Sequence, residues 1–456
     1  MSAAREARLP LRVAVACAEL AHVFPLELLR AVPGPRGFWG RGERWVAHAG
    51  VLLALGAEPG PDRFRAVRDQ ASGALREPGP IWPVGADPRL AGRLRFYGGF
   101  SFQDEPGTSH HWVGFPAALF HLPEVELEGD AEGVARLRVR ASIRDGEDEA
   151  ALQQRLEARL AELTAALTAP PAGPAEPRRA ELATAATDAD AWEASVERLL
   201  AAIAAGTVRK VVLARTLDVR TRPALDPLVV LERLWEANRA SHVFYFEPMS
   251  DHVLLGAAPE TIATLRSGVF HATAVAGTTQ GGATPQEQGT LAAGLMASGK
   301  DREEHRISLD DILERLGALA SDVRAEQEPH VLALSAIQHL ETRVRARVPE
   351  GTGVLDLVEQ LHPTPAVCGH PREQALEQLA AEEPFERGWY AGPVGWFDLE
   401  GNGMFAPALR SAVLSVSGWR LFAGAGIVAG SRPVAEWSET GIKFEPVLRA
   451  LRAAAT

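Results

Sequence analysis

From residue 208 onward the chain keeps returning to extended apolar runs set apart by short, glycine-containing turns. Such turns join antiparallel neighbours, because a parallel pair needs a crossover of a dozen or more residues. The runs cover 208–219, 242–247, 252–265, 269–276 and 331–348, with three more ending near Asp398, Ser415 and Ile427. Helical spacing marks 188–205, 285–297, 301–319, 352–361, 372–381 and 433–451. The first third adds strands at 44–55, 94–102, 117–127 and 134–143 and a long helix at 147–167. In 94–102 (LRFYGGFSF) the glycine pair implies a bulge or a close backbone approach. Helices laid on antiparallel sheets make an α+β architecture.

With 456 residues, 46% of them hydrophobic and 23% charged, the chain can bury a sizeable core. Its formal charge of -12 argues against a general nucleic-acid binder, which needs a basic surface. An anionic small molecule remains allowed, provided local cations or a metal hold it against the global field. The two cysteines, Cys17 and Cys368, form no disulfide framework and have no zinc-ligand spacing, so a reducing cytoplasm is the natural compartment. The apolar run near the N-terminus contains Arg12 and reads as a first strand. No stretch approaches the roughly 20 apolar residues of a membrane span. Residues 168–180 (TAPPAGPAEPRRA), with four prolines, form an exposed connection and the best candidate boundary.

Four segments concentrate polar groups beside glycines. Lys210 shares a strand face with Val208, Val212 and Ala214, so its stem is either buried or snorkels to water. Glu260 ends LLGAAPE, where an apolar setting raises a carboxyl pKa and a turn would simply expose it. Asp301 and Glu304 in SGKDREEH have the spacing of a helix cap, the stronger ordinary reading, and the alternative is a magnesium site of hard oxygens with Glu304 the better ligand. Glu436, Glu439 and Lys443 line one helix face after Gly424 and Gly426. Glu439 and Lys443 alone would make a surface pair worth about 0.3–0.5 kcal/mol. The preceding glycines let a backbone approach a ligand, which such a pair does not need.

In order, VRKVVLAR, LLGAAPE, AVAGT, GKDREEH, QHLET, LHPTPAVCG, RGWYAGPVGW, ALRSA, FAGAGIV and EWSETGIK resemble the motifs of the chorismate-utilising enzymes. That family includes isochorismate and salicylate synthases and the large subunits of anthranilate and aminodeoxychorismate synthases. The resemblance is dense over 191–451 and looser over 1–167. It implies one large α+β domain across 1–456, of packed, mainly antiparallel sheets with helices outside, and makes 168–180 a surface loop.

The resemblance also implies roles. Glu304 and Glu439 are similar to direct Mg²⁺ ligands, with Asp301 and Glu436 close by. Gly277, Thr278, His339, Tyr390, Arg410, Gly424, Gly426 and Lys443 resemble chorismate contacts. Lys210 resembles the base that activates water in the members that use it, and Glu260 the acid that protonates the departing hydroxyl. Bringing a lysine from about 10.4 to near 7 requires on the order of 4–5 kcal/mol of environmental bias. Lys210 and Ala276 favour water over ammonia as nucleophile, and Ala366 favours isochorismate over salicylate. The expectation is a cytoplasmic isochorismate synthase needing no amidotransferase subunit, a monomer or weak homodimer. FYGGFSF resembles members of menaquinone pathways more than those of siderophore pathways. A salicylate-forming or aminating enzyme is the alternative, and a non-catalytic chorismate-binding homologue is that of another class. Three departures stand out: Met404 replaces a common glutamate, Cys368 a Gly or Ser, and Pro407 implies an edge or bulge.

Overall fold

The computed structural model describes residues 12–74, 81–83, 90–105, 107–143, 146–169, 179–334 and 337–456. Of the proline-rich loop, residues 170–178 lie outside this set. Two large sheets dominate the described residues. The first has thirteen strands; its path begins Glu181–Ala186, Lys210–Arg222, Gly418–Ile427, Ser411–Ser415, His252–Ala258, His242–Met249. It continues through Arg36–Arg41, Arg44–Ala49, Val125–Gly129, Val134–Ile143 and Arg12–Ala21 to Ile81–Pro83, with Gly369–His370 beside Lys210–Arg222. The second has ten: Ser321–Ala325, Ile337–Arg347, Val269–Gln280, Ala263–Arg266, Gly403–Pro407, Pro393–Asp398, Arg95–Phe100, Ala118–Leu122, Leu53–Ala57, and His330–Ala333 paired to Ile337–Arg347. All pairings among the described residues are antiparallel except that of Arg12–Ala21 with Ile81–Pro83. The expected α+β class and mainly antiparallel pairing are both present.

Apolar faces dictate the layering. Glu149–Thr168, Pro227–Ala237 and Pro433–Ala454 bury leucines and valines against the first sheet. Arg63–Ala74, Gly299–Gly317 and Val354–Leu361 do the same against the second. A third, aromatic cluster joins residues of both sheets, with Trp389 stacked on Phe246 at 5.6 Å and Tyr390 on Phe422 at 4.9 Å. No described helix is long and apolar enough to cross a membrane.

Four runs that read as single strands are each two, of which 331–348 comprises His330–Ala333 and Ile337–Arg347, paired within the second sheet. At 44–55, 117–127 and 252–265 the chain leaves one sheet and enters the other within a few residues. A fourth crossing joins Gly403–Pro407 to Ser411–Ser415. The sequence puts Pro407 at an edge or bulge; instead it ends an interior strand, paired on both sides, where its missing N–H costs least. Gly98 marks a close approach and not a bulge, since the register runs unbroken and a methyl there would overlap the Leu119 carbonyl. Met404 lies opposite Thr264 and Trp396 and packs against the aromatic layer. Cys368 is fully buried there.

Candidate active site

Lys210 opens its strand, and the register sets Val212 against Gly426 and Ala214 against Gly424. Cross-strand partners share a face, so the lysine and both glycines look the same way. Lys210 is wholly buried and does not snorkel. Its Nζ lies 3.2 Å from Glu304 Oε1 and donates to Ser308 Oγ at 3.1 Å. Its setting is therefore an ion pair, not the purely apolar pocket the strand pattern implies. A methyl on Gly426 would overlap the Glu304 carboxylate and stand 3.1 Å from Lys210 Cε, so only glycine fits.

Glu304 and Ser308 are one turn apart on Gly299–Gly317. Ser298 caps that helix, accepting from the Asp301 amide at 3.3 Å, which removes the capping role from the Asp301–Glu304 pair. Burial would raise the Glu304 carboxyl, but Lys210, Lys443 and Lys300 outweigh it and hold it below its ordinary value. Opposite stands Pro433–Ala454. There Glu436 pairs with Lys300 and Glu439 with Lys443, both at 2.6 Å, while Lys443 also donates to Gly424 O at 2.9 Å. Burial first, then Glu439, pushes the Glu436 carboxyl up. Asp301, half-buried, is raised as well, by burial first and by Glu304 and Glu439.

A third wall comes from Val269–Gln280. Gly277, at φ +70°, occupies a bulge between Ala276 and Thr278 and lies against Asp301. Beyond the bulge Thr278 faces His339, whose Nδ1 is 3.2 Å from Thr278 Oγ1 and 3.0 Å from the Gly277 carbonyl. His339 Nε2 meets Arg410 Nη2 at 2.9 Å. A guanidinium only donates and a carbonyl only accepts, so the imidazole carries its proton on Nδ1. Burial, Arg410 and Lys443 keep it neutral, well below its ordinary pKa.

Arg410 lies on the fourth crossing with φ +49°. Burial lowers it to about 10, so it stays a cation at neutral pH, yet its buried Nη1 has no hydrogen-bond partner. Burial raises Tyr390 to about 12, and a methyl on Gly424 would stand 3.1 Å from its hydroxyl. Glu260 lies on the third crossing, fixed by Thr261 N donating to Thr273 Oγ1 at 2.9 Å. Its side chain is buried and its Oε1 has no partner. Burial lifts it to about 8, Lys210 pulling back and Glu341 pushing further, so it is a neutral acid at pH 7.

All fourteen residues singled out in the sequence thus belong to one network of contacts and mutual fields. Sequence reading missed Ser308, Lys300, Glu341 and a clasp behind the site. In the clasp Arg387 pairs with Glu383 at 2.7 and 2.5 Å and donates to the carbonyls of Val212 and Val367, each at 2.7 Å. Glu383 in turn accepts the Ala214 amide at 2.8 Å. Breaking so buried a pair costs about 3–5 kcal/mol. Lys300, Glu341 and Arg387 stand inside GKDREEH, QHLET and RGWYAGPVGW without having been singled out there, and Ser308 lies one helical turn beyond Glu304.

The sequence profile of the family described as "Chorismate binding enzyme" matches residues 4–452. The Pseudomonas aeruginosa salicylate biosynthesis isochorismate synthase is 35% identical over 81% of this chain and 77% of its own length. The Bacillus subtilis isochorismate synthase MenF is 33% identical over 78% of this chain and 74% of its own. Among solved structures, MenF of Escherichia coli, a menaquinone-specific isochorismate synthase, superposes with a TM-score of 0.75 at 25% identity, covering 98% of this chain and 96% of that one. The buried Lys210 and the buried, neutral Glu260 agree with that likeness, and the chain belongs to the chorismate binding enzyme family.

Proposed function

We propose that this protein is a magnesium-dependent isochorismate synthase, interconverting chorismate and isochorismate. The observation that carries the reading is Lys210 and Glu260 buried at one site, the second held neutral at pH 7. Lys210, neutral when it acts, takes a proton from water as its oxygen bonds to ring carbon 2. The ring double bonds shift, the carbon 4–oxygen bond breaks, and Glu260 protonates the departing hydroxyl. Arg410, with Nη1 free, and Tyr390 hold the enolpyruvyl carboxylate. The neutral His339 fixes the guanidinium plane, and the bare backbone at Gly424 and Gly426 lets the ligand approach.

The donor set suits magnesium. Asp301, Glu304, Glu436 and Glu439 supply hard oxygens, and three of them now face lysine ammonium groups, so the site is built for positive charge. No three such side chains among the described residues converge on one point. Magnesium does not require it, since one or two carboxylates, waters and substrate complete its shell. Glu304 and Glu439 would hold the ion directly, and when bound it supplies charge that neutralises the ring carboxylate.

The test is purified protein with chorismate and Mg²⁺, without ammonia, followed by chromatography. Isochorismate approaching a fixed ratio to chorismate, and lost in EDTA, supports the proposal. Salicylate with pyruvate, or turnover only with ammonia, would replace it by another branch of the family. Water as nucleophile leaves no role for an amidotransferase subunit. Arg410→Lys keeps the charge but loses the planar fork. Its KM for chorismate is expected to rise about ten- to a hundredfold, the equivalent of a charge-assisted bond of about 1.5–3 kcal/mol. Steady-state kinetics check this, with kcat changing less than KM.

A further inference from the structure

Each forward turnover leaves Lys210 with one proton more and Glu260 with one fewer. Before the next, Glu260 must gain a proton and Lys210 must lose one, so the cycle consumes neither acid nor base. Both groups are buried, Glu260 being 2% exposed, and its proton needs a route to solvent.

On the proposed reading of the reaction, we infer that Glu341 and His330 form that route and reset the catalytic acid between turnovers. Thr261, next to Glu260, is bonded to Thr273 in both directions, at 2.9 and 3.1 Å. Two residues along that strand, Val275 is the register partner of Glu341 on Ile337–Arg347. Thr273, Val275 and Glu341 therefore share a face, and Glu341 is near enough for its charge to act on Glu260. Glu341 is itself buried, a carboxylate without a place in the hydroxyl transfer.

From Glu341 the path leads outward. His330, its register partner on His330–Ala333, sets Nε2 at 3.2 Å from Glu341 Oε1. Its other nitrogen, Nδ1, is 3.1 Å from Glu326 Oε2. The His330 side chain is 37% exposed and that of Glu326 36%, against 5% for Glu341. Imidazole bridging two carboxylates can take a proton on one nitrogen and release another from the other, so no proton has to cross the sheet unaided. Arg343 donates to Glu341 Oε1 at 3.3 Å, and Arg41 acts on Glu341 from the opposite sheet. These cations hold the carboxylate in place beside His330.

Rapid-quench product formation with excess chorismate tests the route in His330→Ala and, conservatively, Glu341→Gln. The expected result is a first turnover at the unmodified rate, followed by a steady state slower by on the order of tenfold or more. Millimolar imidazole should restore the steady state of His330→Ala, which a structural defect would not allow. Unchanged steady-state rates in both variants overturn the inference. So does a first turnover that slows in step with the steady state and ignores imidazole. If the unmodified protein forms no isochorismate, the reaction itself falls and the route with it.

Discussion

Replacing Lys210 with alanine is expected to lower kcat by about 10²–10⁴-fold, the usual contribution of a positioned general base. The loss should not come from unfolding alone, and the geometry says how to separate the two. Lys210 is the ion partner of Glu304 at 3.2 Å, so its removal leaves a buried carboxylate with one cation fewer. A destabilisation of about 3–5 kcal/mol is the upper range for such a break. Lys300 and Lys443 still act on Glu304, which softens it. The alanine also leaves a channel the width of an alkyl chain, into which a small primary amine fits. Partial restoration of isochorismate formation by added ethylamine, with the variant's melting temperature unmoved by the amine, would identify the lost group as a base. A melting temperature that falls with activity, and no rescue, would make Lys210 a structural cation.

Glu260→Gln carries the second large effect, again about 10²–10⁴-fold in kcat, with a pH signature of its own. Glu260 donates only when protonated. Its folded value of about 8 lies above the ordinary 4.5, so the active form persists through neutral pH and is lost as pH rises through about 8. The unmodified enzyme should therefore show an alkaline limb near pH 8 in kcat/KM. The reverse reaction starts with the proton on Lys210 and not on Glu260. Both starting states carry the same total number of protons, so the same limb should appear in both directions. In Glu260→Gln the residual activity should lack it. Because the native carboxyl is already neutral, glutamine should fold as well as glutamate at pH 7. A limb that survives the substitution belongs to another group.

Much of this site was legible in the sequence because its motifs are local. LLGAAPE, GKDREEH and EWSETGIK each carry their residues at fixed short spacings, and those spacings survive folding. What joins the motifs was not legible. Lys300 is 136 residues from Glu436, and although Glu341 stands in QHLET, its approach to Glu260 depends on the pairing of Ile337–Arg347 with Val269–Gln280. The strands show the same division. Alternation reveals that 252–265 is extended, but both halves of a sheet change are extended, so the crossing at Glu260 left no mark. Gly403–Pro407 does not read as a strand of its own, because five residues from glycine to proline look like an interruption of the strand that follows. Pairing is long-range, and propensity reports only the local half of it.

The crossings have a consequence beyond topology. Base and acid are fixed to different parts of the scaffold: Lys210 rides on one layer, while Glu260 and Arg410 stand on the chain segments that stitch that layer to the other. Any slip of one layer across its neighbour would alter the gap between proton acceptor and proton donor directly. An ångström of misplacement costs about a hundredfold in rate, far less disturbance than would melt the aromatic layer. Turnover is thus a finer gauge of how the two layers are seated than any thermal midpoint. A substitution deep among Phe246, Trp389 and Phe422 should announce itself as a sluggish enzyme long before it yields an unstable one.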